Sequence, residues 1–372
     1  MRIEIRLKKV LADYGLDSHG VIKRMATELE LHRHTVHKLY NNLHSNPSLD
    51  TLGQVCDWLI KNKVPAAELP GALFGADASG LWPAVAEHRT VTFYLGEYQQ
   101  FRGQIQIAWI ARRDASVAAE IVRWLSTPGV AGKSPPEFHT KYLPFRVDVS
   151  DSRTKRNKHD HSNAIQMYRQ IRTELNGASA VLIGSQRINE VLEAFCADLF
   201  GCKPFSASHT IRVPFYLAFQ SKLRPVESCF GGLDNPPGVH GKSVKGIHYL
   251  NRSGQWNCFR WIDDKQDSGI VITLYEPATK GMLLAILGLS GRASEALGHH
   301  LTRNSAPFWP PYAEKGGQKI GVYICRITYL PNTSNEQEIS KQIKDVEVVR
   351  MDEAILTKYL NARKKTSGPV SG

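Results

Sequence analysis

The stretch "MLLAILGLSGRASEALGHHL", Met282 to Leu301, decides the fold class. It opens with an unbroken apolar run of strand length, passes through a Gly/Ser turn, and continues as an amphipathic helix. An apolar strand without alternation is buried on both faces, which is the habit of a parallel sheet covered by helices. Two other segments follow the same plan: "IQIAWIARRDASVAAEIVRWLS" (Ile105 to Ser126) and "SAVLIGSQRINEVLEAFCADLFG" (Ser179 to Gly201). They share architecture and not sequence. Strand, short turn and helix in repetition are the α/β signature, so a Rossmann-like α/β domain with a mixed sheet is expected from about residue 90.

Working outward, Gly246 to Pro277 reads as strand, turn and strand, with turns at Ser253-Gly254 and at Asp267-Ser268-Gly269, an antiparallel extension of the same sheet. Lys319 to Leu330 reads as a further strand, and Asp352 to Lys365 as a last helix begun by Asp352. The charged run Asp151 to His161 is expected to be an exposed loop. On the N-terminal side, residues 2–63 read as helix after helix, and the Pro/Gly/Ala-rich stretch that follows reads as a boundary. The expected organisation is an all-α domain over 1–63, a linker with short helices over 64–89, the α/β domain over 90–365 and a frayed tail over 366–372.

Ligands of open parallel sheets bind beyond the carboxyl ends of the strands. Those ends are expected at Ala111–Ser116, Gly184–Asn189 and Gly288–Ser294. Each leads into a helix N-terminus, whose amides and dipole attract an anion. Arg113, Arg187 and Arg292 add charge, and Ser116, Ser185, Asn189, Ser290 and Ser294 add polar groups. Gly184, Gly288 and Gly291 let the backbone come close, and Asp114 completes the candidate set. Ordinary helix capping is the plainer alternative for any one turn. The chemistry fits a nucleotide or other phosphorylated metabolite acting as an effector, with no cofactor required. Neither a P-loop, a G-x-G-x-x-G fingerprint nor a G-x-S-x-G elbow occurs, so no catalytic residue is assigned. Asp114 suits either an acid–base role or a helix cap.

The chain of 372 residues carries a formal net charge of +12, which favours anionic partners, nucleic acid first. Its six cysteines include no C-x-x-C pair and read as free thiols of a reducing cytoplasm. No apolar run has transmembrane length, and the charged opening "MRIEIRLKKV" does not read as a signal peptide.

The cationic feature with the most structure is "MATELELHRHTVHKLYNN", Met25 to Asn42. Met25, Ala26 and Leu29 form one face of a first short helix, and Val36 and Leu39 one face of a second. Leu31 plugs the angle between them, and His32 stands at the N-cap of the second helix. Three imidazoles within a turn and a half cannot all face one metal, so a zinc site is not expected. The pattern resembles the helix-turn-helix of Cro/C1-type (Xre-like) DNA-binding domains over Ile5 to about Lys61. The preceding helix "IRLKKVLADYGL" and the following "NPSLDTLGQVCDWL" belong to the resemblance. Glu30 stands where that family often has glycine, and His32 where it often has serine. The resemblance implies a second helix lying in the major groove of double-stranded DNA. His32, Arg33, His34, Thr35, His37, Lys38, Asn41 and Asn42 are then the candidate DNA contacts. It also implies a transcription regulator such as a repressor, acting as a homodimer on paired half-sites. The alternative expectation is a nucleotide- or NAD-processing enzyme that carries the helical region as an autoregulatory module.

Overall fold

The computed structural model describes residues 5–41, 43, 47–64, 73, 80–102, 105–127, 130, 134–146, 158–185, 189–206, 212–219, 228–331 and 337–362. Near the N-terminus lie α1 (Leu7–Asp13), α2 (Val21–Glu28), α3 (Arg33–Tyr40) and α4 (Leu49–Lys61). They close on a shared core that includes Leu7, Leu11, Met25, Val36, Leu39, Val55 and Leu59. The apolar spacing of the sequence explains the angle between α2 and α3. Met25 and Ala26 are the buried side of α2's last turns, and Val36 and Leu39 are that of α3. Between them the chain turns through Glu30 at φ 52°, a left-handed conformation that favours glycine. Leu31 packs half-buried against the same core. His32 caps α3, its Nδ1 accepting the His34 N–H at 3.2 Å. The Trp58 indole donates to Glu28 at 2.7 Å and ties α4 to α2.

The remaining elements are α5 (Leu81–Ala86), β1 (Thr90–Arg102), β2 (Ile105–Ile110), α6 (Arg112–Leu125), β3 (Glu137–Arg146), α7 (Lys158–Glu174), β4 (Ser179–Ile183), α8 (Glu190–Phe200), β5 (Phe215–Ala218), β6 (Gly231–Gly232), β7 (Gly246–Leu250), β8 (Trp256–Arg260), β9 (Gln266–Glu276), β10 (Gly281–Gly288), α9 (Gly291–Arg303), β11 (Ala313–Lys315), β12 (Gln318–Tyr329), β13 (Ile343–Arg350) and α10 (Glu353–Asn361). They form a mixed α/β structure. Its main sheet has nine strands in the order β11-β12-β9-β10-β4-β1-β2, with β13 beside β12 and β3 beside β1. β3, β1, β4 and β10 run parallel, and β9 and β12 join them through antiparallel pairs.

Side chains of the central strands alternate between two cores, as a pleat with period two requires. Leu182, Ala285, Leu287, Ile270 and Ile272 face α7, α8 and α10. Val181, Ile183, Leu284, Ile286 and Val271 face α5, α6 and α9. Both faces are thus covered, and β4 and β10 are buried at every position, as their unbroken apolar sequence requires.

Four expectations are corrected. β2 is not a parallel inner strand: it pairs antiparallel with β1, and Ile107 and Trp109 are exposed by 37% and 41%. Its apolar residues reflect a hairpin arm and not two covered faces. Asp267, Ser268 and Gly269 are not a turn but lie in the buried first part of β9, all three paired with β12 and Gly269 also with Gly288 of β10. Their polarity misleads because Asp267 is satisfied by side-chain and backbone donors. β7 and β8 do not extend the main sheet; they belong to a separate four-stranded sheet, β6-β5-β7-β8. Lys158 to His161 open α7 and are not loop, while 151–157 lie outside the described residues. Asp352 does begin the last helix, accepting from the Ala354 and Ile355 N–H groups.

Candidate functional site

The strand pairings bring the α6 turn to the end of the sheet where β4 and β10 finish. Glu97 to Gln99 of β1 pair with both β3 and β2, so those strands lie on opposite edges of β1. Val91 to Leu95 pair with both β3 and β4. β4 and β2 therefore share one edge. β4 ends at Ile183 opposite Leu95, and β2 ends at Ile110 opposite Glu97. The two strands run toward each other and meet end to end, which sets the first turn of α6 directly against Gly184.

Side-chain positions agree. A methyl group on Gly184 would sit 3.0 Å from Asp114 Oδ2, and Gly184 itself has φ +126°. A methyl on Gly291 would sit 3.2 Å from Arg113 Cδ. The three turns thus converge, with Arg113 reaching the start of α9 and Asp114 the end of β4. Asp114 is 2% exposed, and its Oδ2 has no hydrogen-bond partner among the described residues. Burial pushes its carboxyl up to about 6.

Beside this convergence lies a cleft of about 420 Å3, lined by Arg113, Ser290, Gly291 and Arg292 together with Trp261, Ile262, Asp263, Asp264, Gln266, Asp267 and Tyr329. Ser290 is the N-cap of α9, accepting from the Ala293 N–H at 3.2 Å while its own hydroxyl donates to Asp267. Asp267 is 2% exposed and also accepts the Ser268 N–H at 2.8 Å. Burial pushes its carboxyl up to about 6, against the opposing pull of the Ser290 hydroxyl, the Ser268 amide, Lys245 and Arg292. The Arg292 guanidinium lies 3.7 Å from the Tyr329 ring centroid, donates from Nε to Gln342 at 2.8 Å, and reaches Asp264 at 3.6 Å. Arg113 is ion-paired with Glu295. Both cations are therefore held in place before any ligand arrives, which lowers the entropy cost of binding.

Of the residues expected at the turns, Arg113, Ser290, Gly291 and Arg292 line the cleft. Asp114, Gly184 and Ser185 gather at the end of β4 and are buried. Asn189 and Ser294 serve the fold. The Asn189 amide donates to the carbonyls of Tyr94 and Ile183 and its Oδ1 caps α8, while the Ser294 hydroxyl bonds back to the Ser290 carbonyl. Gly288 makes the turn tight: a methyl there would meet Ser290 O and Ser294 N at 2.4 Å. Ser116 sits half-buried within α6, and Arg187 lies outside the described residues. Trp261, Asp267 and Tyr329 are not among the site residues expected from the sequence. Asp267 enters the cleft from β9 and Tyr329 from β12, strands joined by antiparallel pairing, and Trp261 enters from the segment between β8 and β9; strand pairing of this kind is a long-range event without a local signal.

On α3, Arg33, His34 and His37 are exposed, and Thr35 and Lys38 half-exposed. His32 and Asn41 are exposed at its two ends, with the Asn41 amide donating to the His37 carbonyl at 3.0 Å. Asn42 lies outside the described residues. The buried side of α3 is Val36 and Leu39, so its cationic side is held outward by packing. Among the described residues no helix is long and apolar enough to cross a membrane, and no group of His, Cys, Asp or Glu is placed to hold a metal ion. No protein-family model, curated protein or solved structure matches the chain.

Proposed function

We propose that the chain is a sequence-specific DNA-binding transcription regulator whose α/β region senses a phosphorylated or nucleotide-like small ligand. The observation that carries the DNA half is α3: Val36 and Leu39 fix one side in the core while Arg33 and His34 at its start and His37 in its last turn are exposed. In this reading α2 and α3 are a helix-turn-helix and α3 enters the major groove. A side chain such as Arg33 can bond guanine O6 and N7 together. The net charge of +12 supplies the sequence-independent attraction to phosphates. The cleft at the start of α9 supports the sensing half. In a Rossmann-like sheet that is where ligands sit, and Arg113 and Arg292 supply anion-binding groups. A homodimer on two half-sites would let the effector act by changing how the two helical regions are spaced.

The test compares Arg33→Ala and His37→Ala with the parent chain on an operator selected from random sequence and on unrelated DNA. Each substitution should cost about 1–3 kcal/mol on the operator and much less elsewhere. Equal losses on every sequence would remove base reading by α3. Arg292→Ala should abolish the effector response and leave operator binding intact.

A second reading is favoured by one observation, the unpartnered buried carboxylate oxygen of Asp114. A group held near neutrality in that way is suited to proton transfer, as in a nucleotide- or NAD-processing enzyme. Chromatography of nucleotides and NAD incubated with the chain decides it: turnover that disappears in Asp114→Ala replaces the sensor reading.

A further inference from the structure

The charge lining the cleft does not match a bare phosphate site. Arg113 is already paired with Glu295, and Arg292 with Gln342 and Asp264. Facing them are three carboxylates, Asp263, Asp264 and Asp267. A ligand that offered only negative charge would meet these carboxylates beside the two guanidiniums, and their repulsion would offset part of the attraction. Each carboxylate oxygen has two lone-pair directions, so Asp267 can still accept from a ligand after bonding Ser290 and Ser268. The cleft also has flat walls. Two rings line it: Tyr329, with the Arg292 guanidinium 3.7 Å from its centroid, and Trp261, with Lys245 Nζ 3.1 Å from its centroid. Flat walls of this kind favour a planar ring, and a volume of about 420 Å3 is within the range of about 300–1,000 Å3 of small-ligand pockets.

We propose that the cleft takes a nucleotide whose base carries an exocyclic amine, of adenine or cytosine type. The base lies against the aromatic walls, its amine donates to the carboxylates with Asp267 as the fixed acceptor, and its phosphate meets Arg113 and the first amides of α9. The proposal rests on the reading of this cleft as the effector site and adds the class of base. Selectivity follows from repulsion as much as attraction. A base with a carbonyl in place of the amine would set an acceptor against the carboxylate that the amine addresses, and its remaining donor, the adjacent ring N–H, would be displaced from that position.

Calorimetric titration of the full chain with AMP, IMP, CMP, UMP and inorganic phosphate tests this. At least one amino nucleotide should bind tenfold or more tightly than its carbonyl partner, AMP over IMP or CMP over UMP. Asp267→Asn should reduce that ratio toward one. Should that variant fail to fold, the exposed Asp263→Asn, paired with Asp264→Asn, must shrink the ratio instead. Equal binding of the paired nucleotides overturns the base-reading proposal and leaves the effector reading standing. The same holds if the ratio is unchanged in the carboxylate variants. Absence of saturable binding by every nucleotide and by phosphate, in protein of intact circular dichroism, overturns both.

Discussion

Asp114 sits where no carboxylate would be placed for stability alone, and Asp114→Asn measures how much it costs. The side chain is 2% exposed, Oδ2 has no hydrogen-bond partner among the described residues, and burial raises the carboxyl from its ordinary 3.8 to about 6. In the unfolded chain it ionises near 3.8, so between there and about 6 the folded state holds the proton and the unfolded state does not. Stability must then fall as pH rises through that window and level off above it. At about 1.4 kcal/mol for each tenfold change in proton affinity, the penalty above the window is about 3 kcal/mol, with about 0.5 kcal/mol already present at pH 4. Asparagine keeps the shape and cannot ionise. It brings an amide with its own unmet bonds, but that cost does not vary with pH and cancels in the comparison. Urea unfolding of parent and variant at pH 4 and pH 8, followed by circular dichroism, should show the variant gaining about 2–3 kcal/mol on the parent between the two conditions. Parallel stabilities at both pH values would refute the argument, because they would mean the carboxyl is solvated or paired when folded. The expected result would identify a residue held at a cost in stability, a feature that clusters at functional sites.

Further outcomes follow from the same geometry. Leu39→Ala should remove about 2–5 kcal/mol from the helical core that holds α3. It should weaken binding to operator and random DNA alike, in contrast to Arg33→Ala, which gel-shift titrations on both DNAs will distinguish. Gly288→Ala places a methyl 2.4 Å from Ser290 O and Ser294 N, and backbone atoms there have little room to yield. It should cost about 1–3 kcal/mol or more in thermal unfolding, whereas Gly254→Ala, which meets no atom within 4 Å, is limited to the milder cost of its φ of +76°.

The local elements were the legible part of this chain. Apolar runs without alternation marked β4 and β10, the 3- and 4-residue spacing of Met25, Leu29, Val36 and Leu39 marked two short helices, and Asp352 marked the start of α10. Partner strands were not legible, because pairing is decided by residues far apart in the chain. Ile105 to Ile110 are apolar enough for an inner strand, yet they fold back on β1 as a hairpin. Asp267-Ser268-Gly269 has turn chemistry, yet Gly269 lacks a side chain where one would clash with Leu297 and the Leu287 carbonyl, at 2.4 and 2.8 Å. That glycine is required by a helix packed closely on a strand, and from sequence the two requirements look the same.

The misplaced strand also explains why the three turns meet. Had β2 been an inner parallel strand, α6 would begin from its own position in the row, separated from β4 by the strand spacing. Instead β1 runs past the end of β4 and the hairpin returns β2 along the vacated edge, so that α6 starts head-on to Gly184. This puts Asp114 over the end of β4 and lets Arg113 reach Gly291 across the start of α9. One carboxylate and one guanidinium, adjacent in sequence, thereby serve two different neighbours. A ligand drawn to Arg113 would pull on the first turn of α6, and that turn cannot move without disturbing Asp114 against Gly184. A response of this cleft in which that turn moved would displace the buried carboxylate. Binding measured at pH 5 and pH 8 should differ in the parent chain and differ less in Asp114→Asn. If the two pH dependences coincide, the turn does not transmit what happens at the cleft.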